Sequence, residues 1–91
     1  MKAPKFEQIG EVLFTRDEAP GAIPNGTLIE KCQSRSGDGN PDGTRGRVVG
    51  SLGPAPHPDT GELVLGYFVH WDNFPIIPVF VCGDRIRKVG S

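Results

Sequence analysis

The chain has 91 residues, and its 10 Lys and Arg against 11 Asp and Glu give a net charge of −1. That length makes one domain, near the size at which a single core gives marginal stability. The charge balance argues against a partner held mainly through phosphates, since such affinity comes from Lys and Arg neutralising them. No apolar run approaches the roughly 20 residues needed to span a bilayer, and the N-terminus lacks the basic-then-apolar pattern of a secretory leader. A cytoplasmic protein with no membrane partner is the expectation.

Residues 1–25 read as an N-terminal arm. Phe6, Ile9, Val12, Leu13 and Phe14 are spaced by threes and fours, which suits one or two amphipathic helical turns, while Val12 to Thr15 fits a strand equally well. Pro20, Gly21, Pro24, Asn25 and Gly26 form a breaker cluster that ends any early element. Burying each large apolar side chain is worth about 1.5–3 kcal/mol, so the arm is expected to cover the core, with a partner interface as the alternative.

Residues 26–91 read as the domain proper. Its first strand is expected over 27–33, with Leu28 and Cys32 on one side and Ile29 and Lys31 on the other. Residues 34–43 are almost all turn formers and predict a long exposed loop. In that loop Asp38, Asn40, Asp42 and Gly43 reproduce the first half of a calcium loop. The position where a bidentate Glu should close the coordination sphere is Val49, and the same residue types suit any tight turn. Ordinary turn chemistry, with no metal, is therefore the favoured reading.

Residues 44–51 predict a second strand in which Gly46 and Gly50 mark bulges or bends. Pro54, Pro56 and Pro58 make 52–62 a stiff loop. His57 inside it has no ligand spacing around it and is expected to face solvent. The clearest strand is 63–72, where Leu63, Leu65, Tyr67, Val69 and Trp71 alternate with the other face and should meet the core. Trp71 ends that strand beside Phe74. Core or edge packing is its first expectation, and an aromatic binding platform the second. Asp72 and Asn73 supply a turn. Because proline donates no hydrogen bond, Pro75 and Pro78 imply that the strand at 79–82 starts after them or lies at an edge. Gly83 and Asp84 break it, and 86–89 forms a last strand. Arg85, Arg87 and Lys88 make a small basic patch, read as a solvated face. Cys32 and Cys82 fit no CxxC pattern and are expected as reduced thiols, a bridge requiring neighbouring strands.

This order of strands and loops resembles the SH3-like barrels, including the KOW and Tudor branches, over residues 26–89. The segments carrying the resemblance are Gly43-Thr44-Arg45-Gly46-Arg47-Val48-Val49-Gly50 and Tyr67-Phe68-Val69-His70-Trp71-Asp72. The implied fold is all-β, a small SH3-like barrel of about five strands with an N-terminal arm. The combination of Pro24-x-Gly26-Thr27, Gly37-Asp38-x-x-Pro41-Asp42-Gly43-Thr44 and Tyr67-x-Val69-x-Trp71-Asp72 also looks like a group of short bacterial proteins without an assigned activity. Residues 66–89 have an outline similar to the type II dihydrofolate reductases, whose active surface uses a Val-Gln-Ile-Tyr stretch. Here the matching region is Pro78-Val79-Phe80-Val81, so no catalytic residue carries over. That resemblance implies only oligomerisation through a barrel face, as does a weaker one to the SH3-like domain of nitrile hydratase. Shared fold does not transmit function.

No nucleophile, base and orienter stand in a recognisable arrangement, and His57 and His70 are the only histidines, so triad chemistry has few candidates. The expected protein is a binding or assembly module rather than an enzyme, with no cofactor. It would present Tyr67, Trp71, Asp72 and Phe74, together with Asp38 and Asp42, to a peptide or another protein. The alternatives are a small-molecule or enzymatic site shared at a homo-oligomer interface, and KOW-like nucleic-acid binding.

Overall fold

A computed structural model describes residues 5–34 and 40–90. β1 (Phe6–Ile9) and β2 (Val12–Thr15) form an antiparallel hairpin. A five-stranded sheet follows, built from β3 (Leu28–Lys31), β4 (Arg45–Pro56), β5 (Leu63–Trp71), β6 (Phe74–Cys82) and β7 (Ile86–Lys88), with a 3₁₀ turn at Gly83–Arg85 before the last strand. The strands lie in the order β6-β5-β4-β3-β7, every neighbouring pair antiparallel. Four consecutive strands thus meander, and the last returns beside the first. This is an all-β, SH3-like strand order with an N-terminal arm. Among the described residues no ladder joins β6 to β7, so the sheet is open there and both strands are edges. No helix is long and apolar enough to cross a membrane among the described residues.

The sheet curls because β4 slips register against β5 twice, between Val48 and Gly50 and between Leu52 and Ala55. Each irregularity adds local bend and twist. Curling brings together Ile29, Val48, Tyr67, Val69, Trp71, Val81 and Ile86 as the core, with Leu65 packed against it. Strict alternation along β5 accounts for that selection. Leu65, Tyr67, Val69 and Trp71 reach the interior, whereas Leu63, beyond its rim, is exposed.

The arm is a hairpin, not a pair of helical turns. Gly10 takes a φ of +60° in the two-residue connection, a conformation that tight hairpins favour, and Val12 to Thr15 are mostly β-branched or aromatic. The hairpin covers the outer face of the sheet. Phe14 packs on Phe68 with ring centroids 6.5 Å apart, and Phe68 meets Phe80 edge to face at 5.4 Å. Ser51 fastens the chain just beyond β2, donating its N–H to the Asp17 carbonyl at 2.8 Å while its Oγ accepts the Ala19 N–H at 2.8 Å. Gly50 lies so near that a Cβ there would collide with the Thr15 carbonyl. β5 is therefore buried on both faces, by the core and by the arm, which is why Phe68 is apolar on the side where polar residues would otherwise stand.

Two expectations change, and of the two alternatives for the prolines of β6 the edge position holds. β4 continues through Ala55 and Pro56, which pair with Val64 and Leu63, so half of the expected proline-rich loop is strand. β6 begins at Phe74, before both prolines, and its edge position is what permits them. His57 is 3% exposed rather than solvent-facing. The turn after β4 folds back on itself, with the His57 N–H donating to the Glu62 carbonyl at 2.8 Å and the Gly61 N–H to the His57 carbonyl at 2.9 Å, which seats the ring against the 3₁₀ turn. Cys32 and Cys82 are both free and partly buried.

Candidate functional site

The aromatic residues at the β5–β6 hairpin divide into two sets. Tyr67 and Trp71 are 4% and 1% exposed, so neither offers a surface platform. Both lie on the inward phase of β5, and the Tyr67 hydroxyl accepts the Ile23 N–H at 3.0 Å, which ties the segment before β3 to the core. Phe74 and Asp72 are exposed at the hairpin. Trp71 and Phe74 are cross-strand partners that share a face, but Trp71 lies on an interior strand under the core and Phe74 on the edge strand, so of the four expected residues only Asp72 and Phe74 stand at the surface.

What the surface does present is β6. Phe74, Ile76, Val79 and Phe80 are 47%, 72%, 38% and 52% exposed on one edge strand. An edge of exposed large apolar residues is normally blunted by charge, cover or proline. β6 carries no charged residue, and Pro75 and Pro78 are its only such devices. Phe80 is fixed by its neighbours, since its ring occupies the space a Cβ at Gly66 would fill.

Phe80 also divides two open clefts. One, of about 320 Å³, lies between β6 and the loop side of the sheet, with Trp71, Val79 and Val81 giving apolar lining and Lys31, Asn40 and Arg85 giving polar lining. The other, of about 210 Å³, is bounded by Leu52, Pro56, Pro58, Val64 and Leu65. Cys82 lines both. Lys31, unremarked by any motif, is 4% exposed because it shares the inward phase of β3 with Ile29. Its ammonium donates to Ser34 Oγ at 2.9 Å.

Asp38 lies outside the described residues. Asp42 is engaged in loop structure: its Oδ1 accepts the Ser34 N–H at 2.8 Å. Hydrogen bonds from the Ser34 side chain and backbone hold the Asp42 carboxyl below its ordinary range. The single Ser34 hydroxyl proton is shared between Asp42 and the Asn40 carbonyl, 3.0 Å from Oγ, and Asn73 Nδ2 donates to Asn40 Oδ1 at 2.8 Å. Asn40 is thus buttressed against the β5–β6 turn and borders the cleft, while Asp42 acts behind it as scaffold through Ser34. On the basic patch, Arg87 donates to Glu30 Oε1 at 2.7 Å across the β3–β7 ladder. That bond raises the Arg87 guanidinium further above its usual value, and the pairing offsets the positive charge of this face.

The sequence marked β6 only by its prolines. Ile76, Val79 and Phe80 belong to an unbroken apolar run, which reads equally as a buried strand; the combination with two prolines is the signal for an apolar edge. No protein-family model, curated protein or solved structure matches the chain.

Proposed function

We propose that the chain is a non-catalytic binding or assembly module that takes an extended apolar segment of another protein along β6. One observation carries this reading: four large apolar side chains stand exposed on a single edge strand. An added strand can draw main-chain hydrogen bonds from an edge while its alternate side chains enter flanking pockets. Phe80, with a cleft on either side, supplies such pockets. Pro75 and Pro78 lack N–H groups and interrupt main-chain pairing along the first half of β6, so the longest uninterrupted run of donors starts at Val79.

The test is selection of a displayed library of random linear peptides on the purified chain, followed by comparison with the double variant Ile76→Asp, Val79→Asp. The reading expects peptides with apolar residues at alternate positions, bound at least ~10-fold more weakly by the variant, a change of about 1.4 kcal/mol. Absence of enrichment, or equal binding to both proteins, overturns it.

A second reading is a small-molecule site completed by another copy of the chain. The cleft of about 320 Å³ lies at the lower end of the range for ligand pockets, which start at about 300 Å³, and it is walled on one side by the same open edge. Light scattering across a concentration series separates the two. A mass that rises with concentration and falls back to one chain in the double variant makes the second copy the occupant.

A further inference from the structure

His57, Cys82 and Asp84 come from two stretches of chain: the turn after β4, and the end of β6 with the 3₁₀ turn that follows it directly. One ligand-capable atom from each, an imidazole nitrogen, a thiol sulfur and a carboxylate oxygen, lie within 4.8 Å of one another. His57 is 3% exposed, and its buried Nε2 has no hydrogen-bond partner. That atom is 3.6 Å from Asp84 Oδ2. The separation is longer than the roughly 2.7–3.2 Å of a hydrogen bond from nitrogen to oxygen. It does match an edge of a tetrahedral zinc site, since metal–ligand bonds of about 2.0–2.3 Å set neighbouring ligand atoms about 3.3–3.8 Å apart.

We propose that these three side chains form a binding site for a divalent transition metal of the zinc type. The donor set selects the ion. A thiolate and an imidazole suit zinc and its borderline-soft neighbours, whereas magnesium and calcium take oxygen ligands. Three protein ligands leave a fourth tetrahedral position for water or another donor.

The surrounding chain holds the site in place. Two backbone hydrogen bonds within the turn fix His57, and prolines flank it on both sides. Cys82 lines both clefts, which gives an ion a path from solvent. His57 Nδ1 accepts the Asp59 N–H at 3.1 Å, so in the neutral ring the proton sits on Nε2. Metal binding moves that proton to Nδ1, exchanges the Asp59 bond for one to water in an exposed turn, and releases the Cys82 thiol proton to solvent. The bound ion would then pin the β4–β5 turn to the end of β6 beside both clefts.

The experiment is titration of the reduced full-length chain with Co²⁺, read by thiolate-to-cobalt charge transfer and by the intensity of the visible ligand-field bands, followed by displacement with Zn²⁺. One ion per chain is expected, with bands of tetrahedral strength that Zn²⁺ removes. Cys82→Ser should abolish the charge-transfer band, His57→Gln should weaken binding at least ~10-fold, and Cys32→Ser should leave both unchanged. Zn²⁺ should also raise the melting temperature of the natural chain but not of Cys82→Ser, because a ligand that binds only the folded state stabilises it. The last comparison needs only that Cys82→Ser folds, which its melting curve itself reports. Failure to bind Co²⁺, a charge-transfer band that survives Cys82→Ser, or one lost in Cys32→Ser overturns the assignment.

Discussion

Trp71 and Phe74 face each other across the turn that joins β5 and β6, yet they meet opposite fates. Trp71 is sealed in the core at 1% exposure and Phe74 stands at 47%. Edge position decides between them, because cross-strand partners project to the same face and so share a phase. Trp71 continues the inward series of β5, while Phe74 begins a strand that has no paired strand on its far side among the described residues. Aromatic content near a hairpin therefore marks neither a core nor a site until phase and edge are known. The contrast predicts that substitutions on the two sides act on different quantities, stability within and association without.

The largest effect belongs to the core. Trp71→Ala should lower the unfolding free energy by about 3–5 kcal/mol, the range for removing a buried large aromatic, measured by chemical denaturation. In so small a domain that can leave no folded state. A loss below ~1 kcal/mol would mean that Trp71 is not the core residue its burial implies. Gly50 tests the second buried face of β5. Gly50→Ala places a methyl group against the Thr15 carbonyl, so the arm must shift or β4 must. A cost of about 1–3 kcal/mol is expected for such overpacking. Hydrogen exchange should show faster exchange in β1 and β2 than in β3 to β7, since the arm meets the sheet on one face only.

These two residues also show what could be read from sequence. The phase of β5 was legible because five apolar residues alternate over its length, and so were four of the five as the inward set, Leu63 being exposed, and the return of the last strand. The arm was not, because spacings of three and four in a short segment satisfy a helix and a hairpin alike. Its course depends on Gly50 and Phe68, which are far from it in sequence. His57 was misread for a related reason. Prolines on both sides suggested an extended exposed chain, whereas the fold-back that buries the ring rests on hydrogen bonds to Glu62 and Gly61. Sequence pattern reports periodicity within an element; burial of a turn depends on what another element brings against it.

On the outside, Ile76 gives the converse of Trp71. It is 72% exposed, so Ile76→Asp should change stability by no more than ~0.5 kcal/mol, read in the same denaturation experiment, while weakening capture of an apolar strand. A large loss of stability would show that Ile76 packs in the folded chain and would remove the surface on which the binding proposal stands.

The smallest expected effect is at Asp42, and its sign follows from the direction of the shift. The hydrogen bonds from Ser34 favour the ionised carboxylate, so the folded chain holds the proton less tightly than the unfolded chain does. The contribution is fully present above the ordinary carboxylate value and is lost as pH falls from there through the lower folded value. Because Asp42 is exposed, solvent screens the interaction and the effect on global stability should be slight. The local readout is sharper. The Ser34 amide resonance should titrate with an apparent pKa below that of an ordinary aspartate, and Asp42→Asn should abolish the titration. Since Ser34 also receives the Lys31 ammonium and shares its hydroxyl proton with the Asn40 carbonyl, acidification should loosen the loop side of the cleft before it affects β6. An Ser34 amide that titrates at the ordinary value would separate the loop from the cleft it borders and leave the apolar edge as the sole recognition element.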